Sequence, residues 1–462
     1  MGGRRRAVVG MAGALLVVAV AAGSGPGLAA ARVRAGARAA AGVRGALAAT
    51  TLQIFHGSPL LVRAGEPVIV PVDVVCVTAS GMACPATVSI RAGAGLARRA
   101  EGPIRQGLRF DLTGLVAGKP AGAGEGAGPA GPVAGSVPFA IAARDPAGRT
   151  VTLPAVGALR VYVAAAMRAV AVPAVPFGRL RDGTTVLALP WGRGAAAAGL
   201  DRGPEQATVG PPAFDVGANG RVYLLDALQG RLAVFGGGRL VRQTALDVAP
   251  RSDLSVAPDG TAWVLTRAVA SGLVRLVRVD PAGRPGEEVA AGDGPLGQVR
   301  AVGGRAYARL LPMDAWVAAG PGVAAAAEPS VGRPLGDGTA LLRVAGERTV
   351  RLGIARGERV EDAVELRFAS PVGEVALAEP DGRGGYVMVA RVYREGANAA
   401  DQFQVVLVSA SGAVRTFAVS SAAYAEPAPS GRFRLGPDGA LYRMTSSPEG
   451  VRIVRHDLGG TR

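Results

Sequence analysis

The side chains in this sequence that could do chemistry are few and scattered. Six carboxylates stand in or beside apolar, strand-like segments: Asp226, Asp253, Asp314, Glu374, Glu379 and Asp401. Oxygen ligands of this kind hold a hard cation such as calcium when several converge on one point. No spacing among the six specifies a metal site, and a strand cap or a turn explains each equally well. Asp259, Asp381 and Asp438 precede glycine in tight corners, so turn geometry already accounts for them. The two histidines are His56, in "IFHGSP", and His456, in "VRIVRHD". Neither has a nucleophile partner in the sequence, and the strained G-x-S-x-G elbow of a serine hydrolase is missing. "ASGAV" (Ala410–Val414) reads as a hairpin turn. The glycine run in "VFGGGRLV" (Val234–Val241) lies between strands instead of opening a helix, so it is a turn and not a phosphate loop. These residues assign no catalytic side chain and no cofactor-binding side chain, and the ligands of a metal stay unknown. Calcium is the one cofactor that needs a test.

Cys76 and Cys84 are the only cysteines, in "VDVVCVTASGMACPATVSI". Val68, Val70, Val72 and Val74 alternate into Cys76, "TASGM" turns the chain, and Val88 and Ile90 alternate on the far side. Two strands returning on each other bring the cysteines within bridging reach, which predicts a structural disulfide. A metal-binding pair would need further Cys or His partners than two histidines supply.

The elements that must position these groups are short strands. A chain of 462 residues exceeds one ordinary core. Aromatic residues make up only 4%, while Gly (69) and Pro (33) are abundant, which favours strands and turns over long helices. One phrase recurs: "FDVGANGRVYLLD" (Phe214–Asp226), "LSVAPDGTAWVLT" (Leu254–Thr266) and "FRLGPDGALYRMT" (Phe433–Thr445). Phe214, Leu254 and Phe433 share one position, and Val216, Val256 and Leu435 the next but one. The Asx-Gly corners read as two-residue hairpins, and Tyr223, Trp263 and Tyr442 follow at equal offsets. "LVRLVRVD" (Leu273–Asp280) and "GVRIVRHD" (Gly450–Asp457) match as the next strand, placing His456 opposite Val279 in the alignment. Weaker copies turn at Gly183, Gly304, Gly338 and Gly382, giving seven turns roughly 43 residues apart. That period, with three or four strands per unit, predicts a β-propeller over residues 166–462, because one such sheet cannot bury both faces alone.

The stretch "PAFDVGANGRVYLLDALQGRLAVF" resembles the NHL-type propeller repeat, strongly in the 214, 254 and 433 copies and poorly between about 300 and 370. The resemblance implies an interaction module and favours six blades, with Gly304 and Gly338 sharing one irregular blade; seven blades stay open. Strand material at about 166–180 would complete the last blade. Similar folds include calcium-dependent sugar lactonases, which hold a cation at the channel mouth, and this makes a calcium-dependent hydrolase the main alternative.

Residues 50–165 read as a small antiparallel sandwich. A second hairpin turns at Asp145-Pro146-Ala147-Gly148, "LRVYVA" closes the domain at about Ala164, and Val116–Ser136 reads as a flexible loop. The segment is similar in style to immunoglobulin-like bacterial surface modules, without the Cys…Trp…Cys spacing of true immunoglobulin domains. At the N-terminus, Arg4, Arg5 and Arg6 precede the apolar run Ala7–Gly23 and the small-residue stretch Gly27–Ala31. That is a secretory signal over residues 1–31, with an uncleaved anchor as its rival. An Ala/Arg-rich linker follows over 32–49. The formal charge of +16 does not indicate nucleic acid. Lys119 is the only lysine, the arginines are scattered beyond the first 45 residues, and no aromatics interleave with them. The reading is an all-β, exported or cell-surface chain that binds an extracellular protein, peptide or glycan. It leans against an enzyme and gives the membrane a role only through a retained signal segment.

Overall fold

The computed structural model describes residues 51–56, 60–78, 82–92, 96–103, 108–113, 135–153, 158–202, 207–267, 273–292, 297–310, 315–319, 330–396, 400–425 and 431–459. The expected signal and linker (1–49), Asp314 and nearly all of the 116–136 loop lie outside them. The described residues belong to one compact unit, Thr50–Arg462. They hold no α-helix long and apolar enough to cross a membrane.

The first nine strands are β1 (Thr51–Phe55), β2 (Leu60–Arg63), β3 (Ile69–Val77), β4 (Pro85–Ala92), β5 (Leu96–Pro103), β6 (Leu108–Asp111), β7 (Gly135–Arg144), β8 (Thr150–Leu153) and β9 (Leu159–Ala164). They make two sheets, β1-β3-β6 and β2-β9-β7-β4-β5, with β8 paired to β7. Alternation sets the core: Val70, Val72 and Val74 of one sheet pack with Val88, Ile90 and Ile141 of the other. The turn at Asp145–Gly148 joins β7 to β8, with Gly148 at φ +85° and its N–H on the Asp145 carbonyl at 3.0 Å.

The disulfide Cys76–Cys84 forms, with Cα atoms 5.3 Å apart, but its setting differs from the expected hairpin. The chain makes one antiparallel bridge, Val77 to Ala83, before β4 begins, and β3 and β4 then part into different sheets. The bridge therefore ties the two layers at a corner. Each strand buries only one face, and the corner lets Val74 and Val88 meet across the core from different sheets.

The remaining strands are β10 (Arg168–Val172), β11 (Thr184–Pro190), β12 (Ala213–Val216), β13 (Val222–Asp226), β14 (Arg231–Gly236), β15 (Arg239–Ala245), β16 (Asp253–Val256), β17 (Ala262–Arg267), β18 (Val274–Val279), β19 (Pro285–Gly292), β20 (Val299–Val302), β21 (Arg305–Leu310), β22 (Ala315–Ala319), β23 (Ser330–Val331), β24 (Arg333–Pro334), β25 (Thr339–Gly346), β26 (Thr349–Arg356), β27 (Arg359–Phe368), β28 (Val372–Pro380), β29 (Tyr386–Arg394), β30 (Ala400–Val408), β31 (Val414–Val419), β32 (Phe433–Leu435), β33 (Leu441–Ser447) and β34 (Gly450–His456). Among the described residues they form six sheets: β12–β15, β16–β19, β20–β23, β24–β27 with β10 added, β28–β31, and β32–β34 closed by β11. The first strands of successive sheets approach one another around a common axis: β12 neighbours both β16 and β32, β16 neighbours β20, and β28 neighbours β32. This is a β-propeller, and each sheet covers the apolar face of the next.

Three expectations change. Gly304 and Gly338 do not share a blade: the first joins β20 to β21, the second precedes β25 in the next sheet. The seven turns map onto six sheets because the Gly183 strand, β11, pairs antiparallel with β34 in the sheet that carries the Gly439 turn. Closure is thus made by Thr184–Pro190 and not by 166–180; β10 instead runs parallel beside β27 as a fifth strand. Nor are the Asx-Gly corners two-residue hairpins. At Gly217–Arg221 only Gly220 has positive φ, +73°, while Asn219 turns its side-chain Oδ1 onto the Arg221 N–H at 3.1 Å. Asp259 and Asp438 do the same for Thr261 and Ala440. The Asx residue is selected as a side-chain acceptor, and the glycine alone supplies the left-handed step.

Candidate functional site: the central channel

Period-two geometry sends alternate side chains of each innermost strand into the blade core and toward the axis. In β12, Phe214 and Val216 are buried in the core, so Asp215 between them faces the channel. The same logic puts Asp253 and Ser255 of β16, Arg300 of β20, Arg333 of β24, Glu379 of β28 and Arg434 of β32 around one cavity of about 440 Å³. Each innermost strand thus contributes a charged residue, three acidic and three basic, and Arg309 of β21 adds a fourth guanidinium to the lining.

The six inner-strand charges are engaged with one another and with backbone. Arg300 grips Glu379 through two bonds, Nη1 to Oε1 at 3.0 Å and Nη2 to Oε2 at 2.8 Å, and Arg333 bonds the same carboxylate. Arg434 Nη2 donates to Asp253 Oδ1 at 2.7 Å and to the Leu254 carbonyl at 3.1 Å. Its Nε lies 3.9 Å from Asp215 Oδ1. The free edges of the inner strands supply the other donors. Asp215 Oδ2 accepts from Val256 N–H at 2.7 Å, Asp253 Oδ2 from Val299 N–H at 2.9 Å, and Ser255 Oγ from Ala301 N–H at 3.0 Å. The backbone bonds run from one blade to the next, whereas Arg300–Glu379 and Arg434–Asp253 reach past an intervening sheet. The channel side chains therefore satisfy the edge that a short inner strand would otherwise leave unpaired.

Burial governs the electrostatics. It pushes the Asp215 and Asp253 carboxyls up from their usual range, with Arg434 pulling the other way. It lowers the Arg300 guanidinium to about 10 and the Arg333 guanidinium as well, because a charged group taken from water favours its neutral form. A hard cation entering here would have to displace guanidinium groups already in contact with the carboxylates.

Of the six carboxylates singled out in the sequence, Asp253 and Glu379 reach the channel. Asp226 is fully buried elsewhere: its Oδ2 accepts from Gly199 N–H at 3.1 Å and Gln229 Nε2 at 2.9 Å, with Arg231 at 3.6 Å, and it anchors the 189–202 segment. Asp401 pairs with Arg391 at 2.6 Å, and Glu374 lies opposite Arg391 in the neighbouring strand. Asp314 is outside the described residues. His456 occupies the buried strand position equivalent to Val279, as the alignment implies: it stands opposite Leu441 where Val279 stands opposite Ala262. His56 is buried with Nδ1 2.7 Å from the Pro71 carbonyl. Trp191 packs at a blade edge, its Nε1 donating to the Ser447 carbonyl at 2.8 Å. Sequence reasoning missed Asp215, Arg300, Arg333 and Arg434. The signal was present in the aligned phrases: between the two shared apolar positions sits a polar residue that differs from copy to copy, as Asp215, Ser255 and Arg434.

No protein-family model matches the chain, and no curated protein matches it. Among solved structures it is similar to a streptogramin B lyase, at 13% identity over 70% of this chain and 90% of that one, with a TM-score of 0.33. It is also similar to virginiamycin B lyase from Staphylococcus aureus (11% identity, 70% and 92% covered, TM-score 0.32). A third is a quinoprotein alcohol dehydrogenase-like protein from Bacteroides thetaiotaomicron (10%, 79% and 97%, TM-score 0.21). Likenesses this distant transfer no residue and no activity to this chain.

Proposed function

We propose that this is an exported or cell-surface binding protein, with the propeller as a rigid recognition scaffold for an extracellular protein, peptide or glycan. The observation that carries the reading is the pairing of the inner-strand charges: Asp215, Asp253 and Glu379 are held by Arg300, Arg333, Arg434 and the backbone of other sheets. A general acid or base needs an oxygen or nitrogen free to reach the proton it moves, and carboxylates gripped by guanidinium groups are poor bases. The proposal of export rests on the basic and apolar pattern of residues 1–31, and the Cys76–Cys84 disulfide is compatible with an oxidising compartment. The NHL-type likeness of three copies and the immunoglobulin-like style of residues 50–165 support two interaction modules in series, at 50–165 and 166–462.

The second reading, a calcium-dependent hydrolase, has one observation in its favour: Asp215, Asp253 and Glu379 line the same cavity. A panel of lactones and esters offered to the full-length chain with calcium separates the two. The binding reading expects no turnover above that of Asp253→Asn and Glu379→Gln variants. Turnover that either substitution abolishes would establish the hydrolase instead. Export is tested by N-terminal sequencing of chain recovered outside the cell, which should begin at or soon after Ala31.

A further inference from the structure

The ion pairing of the channel is not repeated at the closing sheet. A cavity of about 380 Å³ lies on the face of β11, β33 and β34 opposite their shared apolar core. Its rim carries the exposed Arg181 and Arg452, its wall Arg443 and Thr445, and its floor His456, which is 2% exposed. Asp182 is the one carboxylate in its lining. Among the described residues no carboxylate forms an ion pair with Arg443, whose Nη1 donates to the Ser420 carbonyl at 3.0 Å while its buried Nε has no hydrogen-bond partner. Both ring nitrogens of His456 are likewise buried without a partner. A buried imidazole that satisfies neither nitrogen forgoes the hydrogen bonds it had in water, which is a cost unless a ligand supplies them.

We propose that this cavity binds the oxyanion group of a small organic molecule, a phosphate ester or a carboxylate, between Arg443, Arg452 and His456. The guanidinium N–H groups and the imidazole N–H donate to the anion, which offers acceptors, and uptake of a proton makes the second ring nitrogen a donor too, so binding and protonation of His456 go together. Gly183 is part of the design: a Cβ there would sit 2.8 Å from His456 Nδ1 and 2.6 Å from the Arg455 carbonyl oxygen, so a larger residue would displace the ring from the pocket. The groups facing His456 are Arg181 and Asp182 from the segment before β11, Arg443 from β33, and Phe417 of β31, whose ring centroid is 6.0 Å away. Burial and the two arginines lower the imidazole to about 4, with Asp182 opposing them; a bound anion acts in the same direction as Asp182. Since residues 181–185 and 443–456 meet only when β11 closes the ring, occupancy also fastens the closure.

With two histidines in the chain, histidine NMR isolates the site, and His56, hydrogen-bonded in the sandwich, is the internal control. The full-length protein is titrated with inorganic phosphate, with acetate, and with chloride at matched ionic strength. Phosphate or acetate should move the His456 signals and raise its midpoint above about 4, leave His56 in place, and do so beyond chloride; which anion acts distinguishes the two ligand classes. Arg452→Met, at an exposed position that folding tolerates, should weaken the response about tenfold through loss of one charge-assisted hydrogen bond. Arg443→Met should abolish it. A His456 signal that responds to neither anion, responds equally to chloride, or is unaffected by Arg452→Met overturns the proposal.

Discussion

Replacing Arg434 by methionine should destabilise the propeller more than its partial exposure suggests. The guanidinium serves two blades besides its own: it bonds Asp253 at 2.7 Å and approaches Asp215 at 3.9 Å. Methionine keeps much of the stem volume and removes the charge. Asp253, 2% exposed, would keep only its bonds to backbone N–H groups, and a buried carboxylate deprived of its cation costs about 3–5 kcal/mol. Asp253→Asn alone should cost about 1–3 kcal/mol, since an amide oxygen can still accept from Val299 N–H. If the penalty is the stranded charge, the double variant Arg434→Met/Asp253→Asn should be more stable than Arg434→Met alone. pH gives a second readout. In Arg434→Met the native state holds Asp253 above its unfolded value of about 3.8, so the folded form binds the extra proton. Relative to the unsubstituted protein, Arg434→Met should therefore recover stability as pH falls from 7 toward 4, the losses from the two buried histidines being common to both proteins. Thermal melts of the four proteins at two pH values complete the cycle. A double variant that loses the sum of the two single losses would refute the idea that these residues act as a pair.

The acid response of the native protein should run the other way through its sandwich. Burial lowers His56 from 6.5 to about 4, so its contribution is complete above pH 6.5 and disappears as pH falls through 4, a loss of up to about 3 kcal/mol. His56→Asn, which can still donate to the Pro71 carbonyl, should roughly halve the acid loss of melting temperature over that window, since His456, also lowered to about 4, titrates over the same range. Reducing the disulfide, or Cys76→Ser with Cys84→Ser, should cost about 2.5 kcal/mol for so short a loop, read as a lower midpoint in urea with little change in far-UV circular dichroism. Gly450→Ala should loosen ring closure, because a Cβ there would lie 2.0 Å from the Leu189 carbonyl oxygen. A loss of about 1–3 kcal/mol, with faster proteolysis in β11, is the expected result.

The propeller was legible because its cause is periodic: an Asx-Gly corner between strands recurs in sheet after sheet, with Gly303-Gly304 between β20 and β21 as the exception. What escaped was everything set by the ring. Whether Gly183 opens its own blade or closes another depends on β11 meeting β34 some 270 residues later, and no local pattern encodes that pairing. The channel charges escaped for a related reason. Asp215, Arg300 and Arg434 sit in different copies, and each looks like an isolated polar residue in its own strand until the axis brings them together. The Cys76–Cys84 bridge was legible as a bond, but its placement at a corner between sheets was not, since eight residues allow either geometry.

The central claim is that the channel carboxylates are committed to arginines and neighbouring blades and do not serve a cation. Melting the full-length chain with millimolar calcium, without it, and after chelation tests this most directly. The account predicts the same melting temperature in all three. A calcium-dependent rise, amounting to about 2.7 kcal/mol at a hundredfold excess over the dissociation constant, that is lost in Asp253→Asn or Glu379→Gln would contradict it and return the channel to catalysis.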